Sequence, residues 1–226
     1  MADFKKVAAR LERRYGEPDL PPAKGPFELV LWENACYLLP DARRAAVFEG
    51  LRQRVGLSAA AIWKADRNTL LELANMGGMR PETRVFRWLE IARITLTQFD
   101  GDLDRILKEP YAKARKALHQ FPNIGEPGAE KILLFSKSHA VLGLDSNGLR
   151  VLVRVGYGRE QKSYSSTYRS VRDALAVHLG DKPGPLIQAH QLLRQHGMER
   201  CKSSAPICRG CALTEICRYY QTQAMA

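Results

Sequence analysis

Four cysteines close the chain in the pattern Cys201-x6-Cys208-x2-Cys211-x5-Cys217. Thiolates are soft ligands, and spacings this short let one loop wrap one centre, so the pattern reads as a metal site. A four-cysteine zinc site and an iron–sulfur cluster both satisfy it. A disulfide pair suits it poorly. The N-terminal Met1-Ala-Asp-Phe-Lys-Lys lacks the apolar stretch of a signal peptide, so the protein is expected in the reducing cytoplasm. A fifth thiol, Cys36, stands apart and reads as a buried core residue.

Two carboxylates stand in settings that chemistry can use. Asp145 precedes Ser146, Asn147 and Gly148 at the start of a helical pattern, which is good N-cap composition. Glu33 lies in the mostly apolar run Phe27–Tyr37, where burial favours the protonated form. A partly exposed helix glutamate fits the same pattern. Its neighbours Trp32, Asn34 and Tyr37 suit either a pocket for a flat ring or the core.

A third feature is the turn Phe121-Pro-Asn123-Ile-Gly125-Glu-Pro127-Gly128-Ala129 between two helical patterns. Asn123 and Gly125 tolerate positive φ, and Pro127 suits a helix start. Gly128 and Ala129 are small enough for close helix approach. Backbone N–H groups converging at a helix N-terminus form a phosphate site without side chains. An ordinary hairpin of two helices explains the same residues.

These residues need elements to hold them, and the period is helical almost throughout. Helices fit residues 2–15, 27–38, about 41–55, two short segments capped by Ser58 and Asp66, and one from Pro81 with the stripe Val85, Trp88, Leu89, Ala92. Others fit 100–107, 110–120, and stretches starting near 127, 146, 164 and 185. Val141–Leu144 alone could pass for a strand. The expected class is all-α. The chain has 226 residues, 45% of them hydrophobic, enough for a sizeable core. No apolar run is long enough to span a bilayer. The net charge of +11 favours a polyanionic partner, nucleic acid or a membrane surface.

The segment Phe121–Ile132 resembles the helix-hairpin-helix motif of the DNA glycosylase superfamily that contains endonuclease III. That motif runs apolar, Pro, Gly, apolar, Gly, three variable residues, Ala; this chain departs from it with Asn123 for the first glycine. Leu144-Asp145-Ser146-Asn147 through Gly156 is similar to the segment carrying the family's catalytic aspartate, at the matching distance from the hairpin. The cysteine spacing, with His196-Gly197 and Arg200 before it, also resembles that of endonuclease III.

The resemblance covers about Pro26 to Cys217. It implies a two-lobed fold, with a helical barrel over 27–138 and a second lobe of 1–26 plus 139–226. It implies a [4Fe–4S] cluster on Cys201, Cys208, Cys211 and Cys217, mainly structural, holding a loop with Lys202 and Arg209 against phosphates. Asn123, Gly125, Gly128 and Lys131 become DNA contacts, and Arg150 and Arg154 structural or phosphate contacts. The partner implied is double-stranded DNA bearing a lesion or mismatch, bound by a monomer and not at a membrane.

Asp145 would stabilise the positive charge that develops on the deoxyribose as the base leaves. Family members that also cut the strand carry a lysine nucleophile where this chain has Pro127. Lys131 lies one turn later, displaced by about 6 Å along the axis, and is expected to be solvated or on phosphate. The resemblance therefore implies a monofunctional glycosylase. A bifunctional glycosylase and abasic-site lyase, or a non-catalytic iron–sulfur protein that binds DNA or senses redox state, are the rivals. Glu33 resembles the catalytic glutamate of adenine glycosylases, a general acid for the departing purine. Leu38-Leu39-Pro40 and Pro127 break that match, which leaves purine, uracil and mismatched thymine open as substrates.

Overall fold

The structure is a computed structural model that describes residues 3–36 and 39–224. It has twelve α-helices among the described residues: α1 (Phe4–Tyr15), α2 (Gly25–Glu33), α3 (Asp41–Arg54), α4 (Ala59–Lys64), α5 (Arg67–Met76), α6 (Pro81–Gln98), α7 (Tyr111–Leu118), α8 (Glu126–Phe135), α9 (Ser146–Val155), α10 (Tyr164–Leu175), α11 (Pro183–Glu199) and α12 (Arg218–Ala224). The described residues contain no strand, so the class is all-α. Residues 141–144 are an irregular link into Asp145, without a ladder. No helix among the described residues is long and apolar enough to cross a membrane.

The chain divides into two compact units, Pro21–Ser138 and Met1–Leu20 with His139–Ala226. In the first, α6 packs against α4 and α5, and α2 against α8. The central residues Trp88 and Ile91 of α6 are fully buried with Ile62, Leu70 and Leu73. Ser58 and Asp66 cap α4 and α5 by accepting from Ala61 N–H and Thr69 N–H, as their sequence positions suggest. Arg84 is buried and closes the C-terminal end of α5, donating to the carbonyls of Ala74 (2.7 Å), Gly78 (3.3 Å) and Met79 (3.2 Å). It thereby joins the last turn of α5 to two residues that lead out of it into α6. The helix predicted over 27–38 is shorter, because α2 stops at Glu33.

In the second unit, α9 lies along α11, and α1, α10 and α12 complete the layer. Its core holds Val7, Leu11, Val151, Leu152, Tyr157, Tyr168, Leu192 and Leu193. The α9–α11 crossing is close because of Gly197. A Cβ there would stand 2.6 Å from the Asn147 carbonyl oxygen. The contact fixes α9, and hence its N-terminal residue pair Asp145–Ser146, against α11.

Candidate active site and cysteine loop

Asp145 is the N-cap of α9, and its carboxylate is held at both oxygens. Oδ1 accepts from the Gly148 N–H at 2.8 Å, and Oδ2 accepts from Asn147 Nδ2 at 3.0 Å. Arg194, on α11, brings its Nε to 3.4 Å from Oδ2. Burial pushes the carboxyl up, but the Gly148 N–H, the nearby His190, Asn147 and Arg194 outweigh it and hold it below the ordinary value of 3.8. His190 is itself buried, and its Nδ1 is hydrogen-bonded to the Gly143 carbonyl. The result is a largely buried aspartate kept as an anion at a helix N-terminus. The cap is legible in the sequence, and Arg194 is not. Its position in α11 carries no local signal, and it meets Asp145 only through the packing of α11 on α9.

The turn between α7 and α8 uses Asn123 at φ 61°, as its side chain permits. Gly125 differs from expectation. It sits at φ −87° and ψ −172° as the N-cap of α8, in backbone that any residue adopts, and a Cβ there would meet Pro127 Cδ at an ordinary 3.9 Å. Positive φ is thus needed once in this turn. Gly128 is buried under Ile124 of the same turn. Asn34 ties the turn to α2, its Nδ2 donating to the carbonyls of Val30 (3.0 Å) and Pro122 (3.1 Å), while its Oδ1 is buried without a partner. Arg115 of α7 bridges to Glu126 of α8 at 2.8 Å.

Lys131 is not solvated. Its Nζ lies 2.5 Å from Glu33 Oε2, and both side chains are largely covered, 16% and 20% exposed. Glu33 and Lys131 are far apart in the sequence, and packing of α8 on α2 joins them. Trp32 is core, edge-on to Phe48 at 5.4 Å, with Arg44 over its ring. Tyr37 lies outside the described residues. Cys36 is buried, as its apolar setting suggests, and burial raises its thiol despite Arg84, Arg44 and Arg43.

Cys201, Cys208, Cys211 and Cys217 are free thiols that line one cavity with Val151, Arg154 and His196. Among the described residues no three His, Cys, Asp or Glu side chains are gathered closely enough to hold a metal ion as they stand. The donor set nevertheless suits a thiolate-bound centre, because N–H groups already point at the sulfurs. Arg154 Nη1 lies 3.3 Å from Cys201 Sγ, and the Leu213 N–H 3.4 Å from Cys211 Sγ. His196 Nε2 is 3.5 Å from Cys211 Sγ, and its Nδ1 is 2.9 Å from the Tyr15 hydroxyl. Burial lowers His196 to about 4, so the ring is neutral. Burial first, and the neighbouring cysteines after it, raise Cys211 and Cys217, as expected of neutral thiols crowded together.

Arg150 and Arg154 hold the loop. Arg150 donates to the carbonyls of Cys201 (2.7 Å) and Gly197 (2.8 Å), and Arg154 to those of Lys202 (2.6 Å) and Ser203 (2.8 Å). The side chains of Lys202 and Arg209 are exposed.

No protein-family model matches the chain. It is 25% identical over 181 residues to an endonuclease III of Sulfolobus acidocaldarius, which covers 80% of this chain and 76% of that protein. It is 27% identical over 202 residues to endonuclease III homolog 2, chloroplastic, of Arabidopsis thaliana, covering 88% of this chain. The chain spans about half the length of that plant relative, 49%. Among solved structures it superposes on an endonuclease III trapped as a covalent DNA intermediate, with a TM-score of 0.78 and 16% identity over 99% of this chain and 100% of that one. It superposes on a thermostable thymine-DNA glycosylase with a TM-score of 0.76 and 15% identity, covering 97% of each. In sequence over most of its length, and in fold over nearly all of it, the chain resembles the endonuclease III-like helix-hairpin-helix DNA glycosylases.

Proposed function

We propose that this chain is a DNA glycosylase that hydrolyses the N-glycosidic bond of a damaged or mismatched base without cutting the strand. The observation that carries the reading is Asp145, a largely buried aspartate held as an anion by a helix N-terminus, Asn147 and Arg194. As the bond from C1′ to the base breaks, the electron pair leaves with the base and positive charge develops on the sugar. A fixed carboxylate stabilises that charge without reorganising. Water then adds to C1′ and gives up its proton, and the released base takes up a proton. The partner is double-stranded DNA, in line with the net charge of +11. The Asn123 turn and the start of α8 offer backbone N–H groups to a phosphate, and the exposed Lys202 and Arg209 offer charge.

The reading excludes a lysine nucleophile. Pro127 stands at the family's lysine position, and the Lys131 ammonium is engaged by Glu33. An ion-paired ammonium has no lone pair with which to attack a sugar. The same pair ties Glu33 to a cation, so proton delivery by Glu33 requires the pair to open first.

The four cysteines are proposed to hold a [4Fe–4S] cluster. When bound, it supplies a structural crosslink for the loop that presents Lys202 and Arg209.

The test is excision by Asp145→Asn on duplexes containing uracil, hypoxanthine, mismatched adenine, mismatched thymine and alkylated bases. The parent is expected to release at least one base and the variant essentially none. Tight abasic-site binding with no turnover on any lesion would instead support a non-catalytic DNA-binding protein.

A further inference from the structure

A second feature of the Asp145 unit is a cavity of about 520 Å³ between α9, the segment before α10 and the cysteine loop. That volume falls within the range of about 300–1,000 Å³ typical of small-ligand sites. Ser146, next in the chain to Asp145, lines it. Arg150, Arg154 and Lys162 line it too, against one acid, Glu160. Arg150 gives its N–H groups to the neutral Cys201 and Gly197 carbonyls, so no acid offsets its charge, whereas Arg154 also faces Cys201 Sγ at 3.3 Å and shares its charge with the cysteine centre. Lys162 is exposed and, among the described residues, has no hydrogen bond or ion pair. The N-terminal end of the twelve-residue helix α10, capped by Ser163, opens on the same space. Tyr164 stands there 47% exposed, its ring tilted on that of Tyr168 at 6.3 Å between centroids, in the same lining as Lys162.

Cations and an aromatic face in one cavity of this size match the two halves of a nucleotide: phosphate and base. We propose that this cavity seats one nucleotide of a DNA strand, next to the nucleotide processed at Asp145, with its phosphate on Lys162 and its base on Tyr164. The assignment rests on the glycosylase reading for the identity of the strand. A free mononucleotide offers the same chemistry, and the experiment separates the two.

The experiment measures binding of full-length Asp145→Asn protein to labelled duplexes carrying an uncleavable abasic analogue. Lys162→Glu is expected to weaken binding about tenfold at low salt and to reduce the slope of log K against log salt by about 1. Tyr164→Ala is expected to weaken binding about tenfold on an intact strand, and not at all on a duplex whose flanking nucleotide also lacks its base. Both positions are exposed, and because Tyr164 packs on the buried Tyr168 ring, an unchanged thermal unfolding midpoint of Tyr164→Ala accompanies the binding measurement. Affinities within twofold of the parent for both variants on every duplex would overturn the proposal. So would saturation by a free deoxynucleoside monophosphate at micromolar concentration with duplex binding unaltered by Lys162→Glu. Failure of the glycosylase reading shows elsewhere, as excision that survives Asp145→Asn.

Discussion

Lys131 Nζ lies 2.5 Å from Glu33 Oε2, joining α8 to α2 through two side chains that are mostly out of water. Both residues had a claim to chemistry, one as an amine nucleophile and the other as a proton donor, and the pair bears on each claim. Borohydride trapping on abasic DNA is expected to leave no covalent adduct, and Lys131→Gln to excise within about threefold of the parent. An adduct lost in Lys131→Gln would establish the lyase rival.

Breaking this pair also has a structural cost. Each partner keeps some exposure, so the loss is well short of that for a fully buried pair. Glu33→Ala is expected to destabilise the fold by about 1–2 kcal/mol, read by denaturant unfolding. If proton delivery by Glu33 matters, Glu33→Gln, which keeps the shape, loses excision of purines far more than of uracil. Equal retention on both fits a structural pair.

Arg194 is a positioning residue for Asp145 in the proposed mechanism. Its Nε at 3.4 Å from Oδ2 favours the anion, and both side chains are about one-fifth exposed. Losing part of a charged hydrogen bond there is expected to lower kcat/KM roughly tenfold in Arg194→Gln. The folded carboxyl lies below 3.8. A lowered folded value means that the stability it contributes is present above the ordinary aspartate value and lost as pH falls through the folded value. The acid limb of the rate profile should therefore lie below the ordinary carboxylate range in the parent and move upward in Arg194→Gln. An unmoved limb would remove Arg194 from the account.

Much of the site was legible in the sequence because it depends on short-range chemistry. Ser58, Asp66 and Asp145 cap the helices their neighbours suggest, since a cap is settled within three residues. Asn123 takes positive φ for a similarly local reason. The misreadings came from elsewhere. Gly125 looked like a second left-handed position, yet its residue type permits extended backbone equally well. Lys131 looked solvated because its partner is 98 residues away in the chain. Arg194 and Asp145 meet only once α11 crosses α9. Arg84 carries no sequence signal, because the carbonyls it collects, from the last turn of α5 and the link after it, converge only in the folded unit.

Arg84 carries a stability prediction of its own. Arg84→Met fills similar space but removes the guanidinium donor to the Gly78 and Met79 carbonyls and the second donor to that of Ala74. A loss of about 2–3 kcal/mol is expected by denaturant unfolding. A neutral result would show that water reaches the end of α5.

The cysteine loop is tested by its colour and its coupling to DNA. Purified protein is expected to be brown, with iron and sulfide in equal amounts, and Cys208→Ser to lose both. The loop then loosens, and duplex affinity should fall while the helical content of the fold persists. Zinc in place of iron would support the rival that the spacing also allows.

The most direct test of the central claim is single-turnover base release by Asp145→Asn on whichever lesion the parent processes best. The substitution keeps the cap geometry at Gly148 while removing the charge. The account predicts a fall of at least a hundredfold in the rate of base release with duplex affinity within a few-fold of the parent. Release at the parent rate would contradict it.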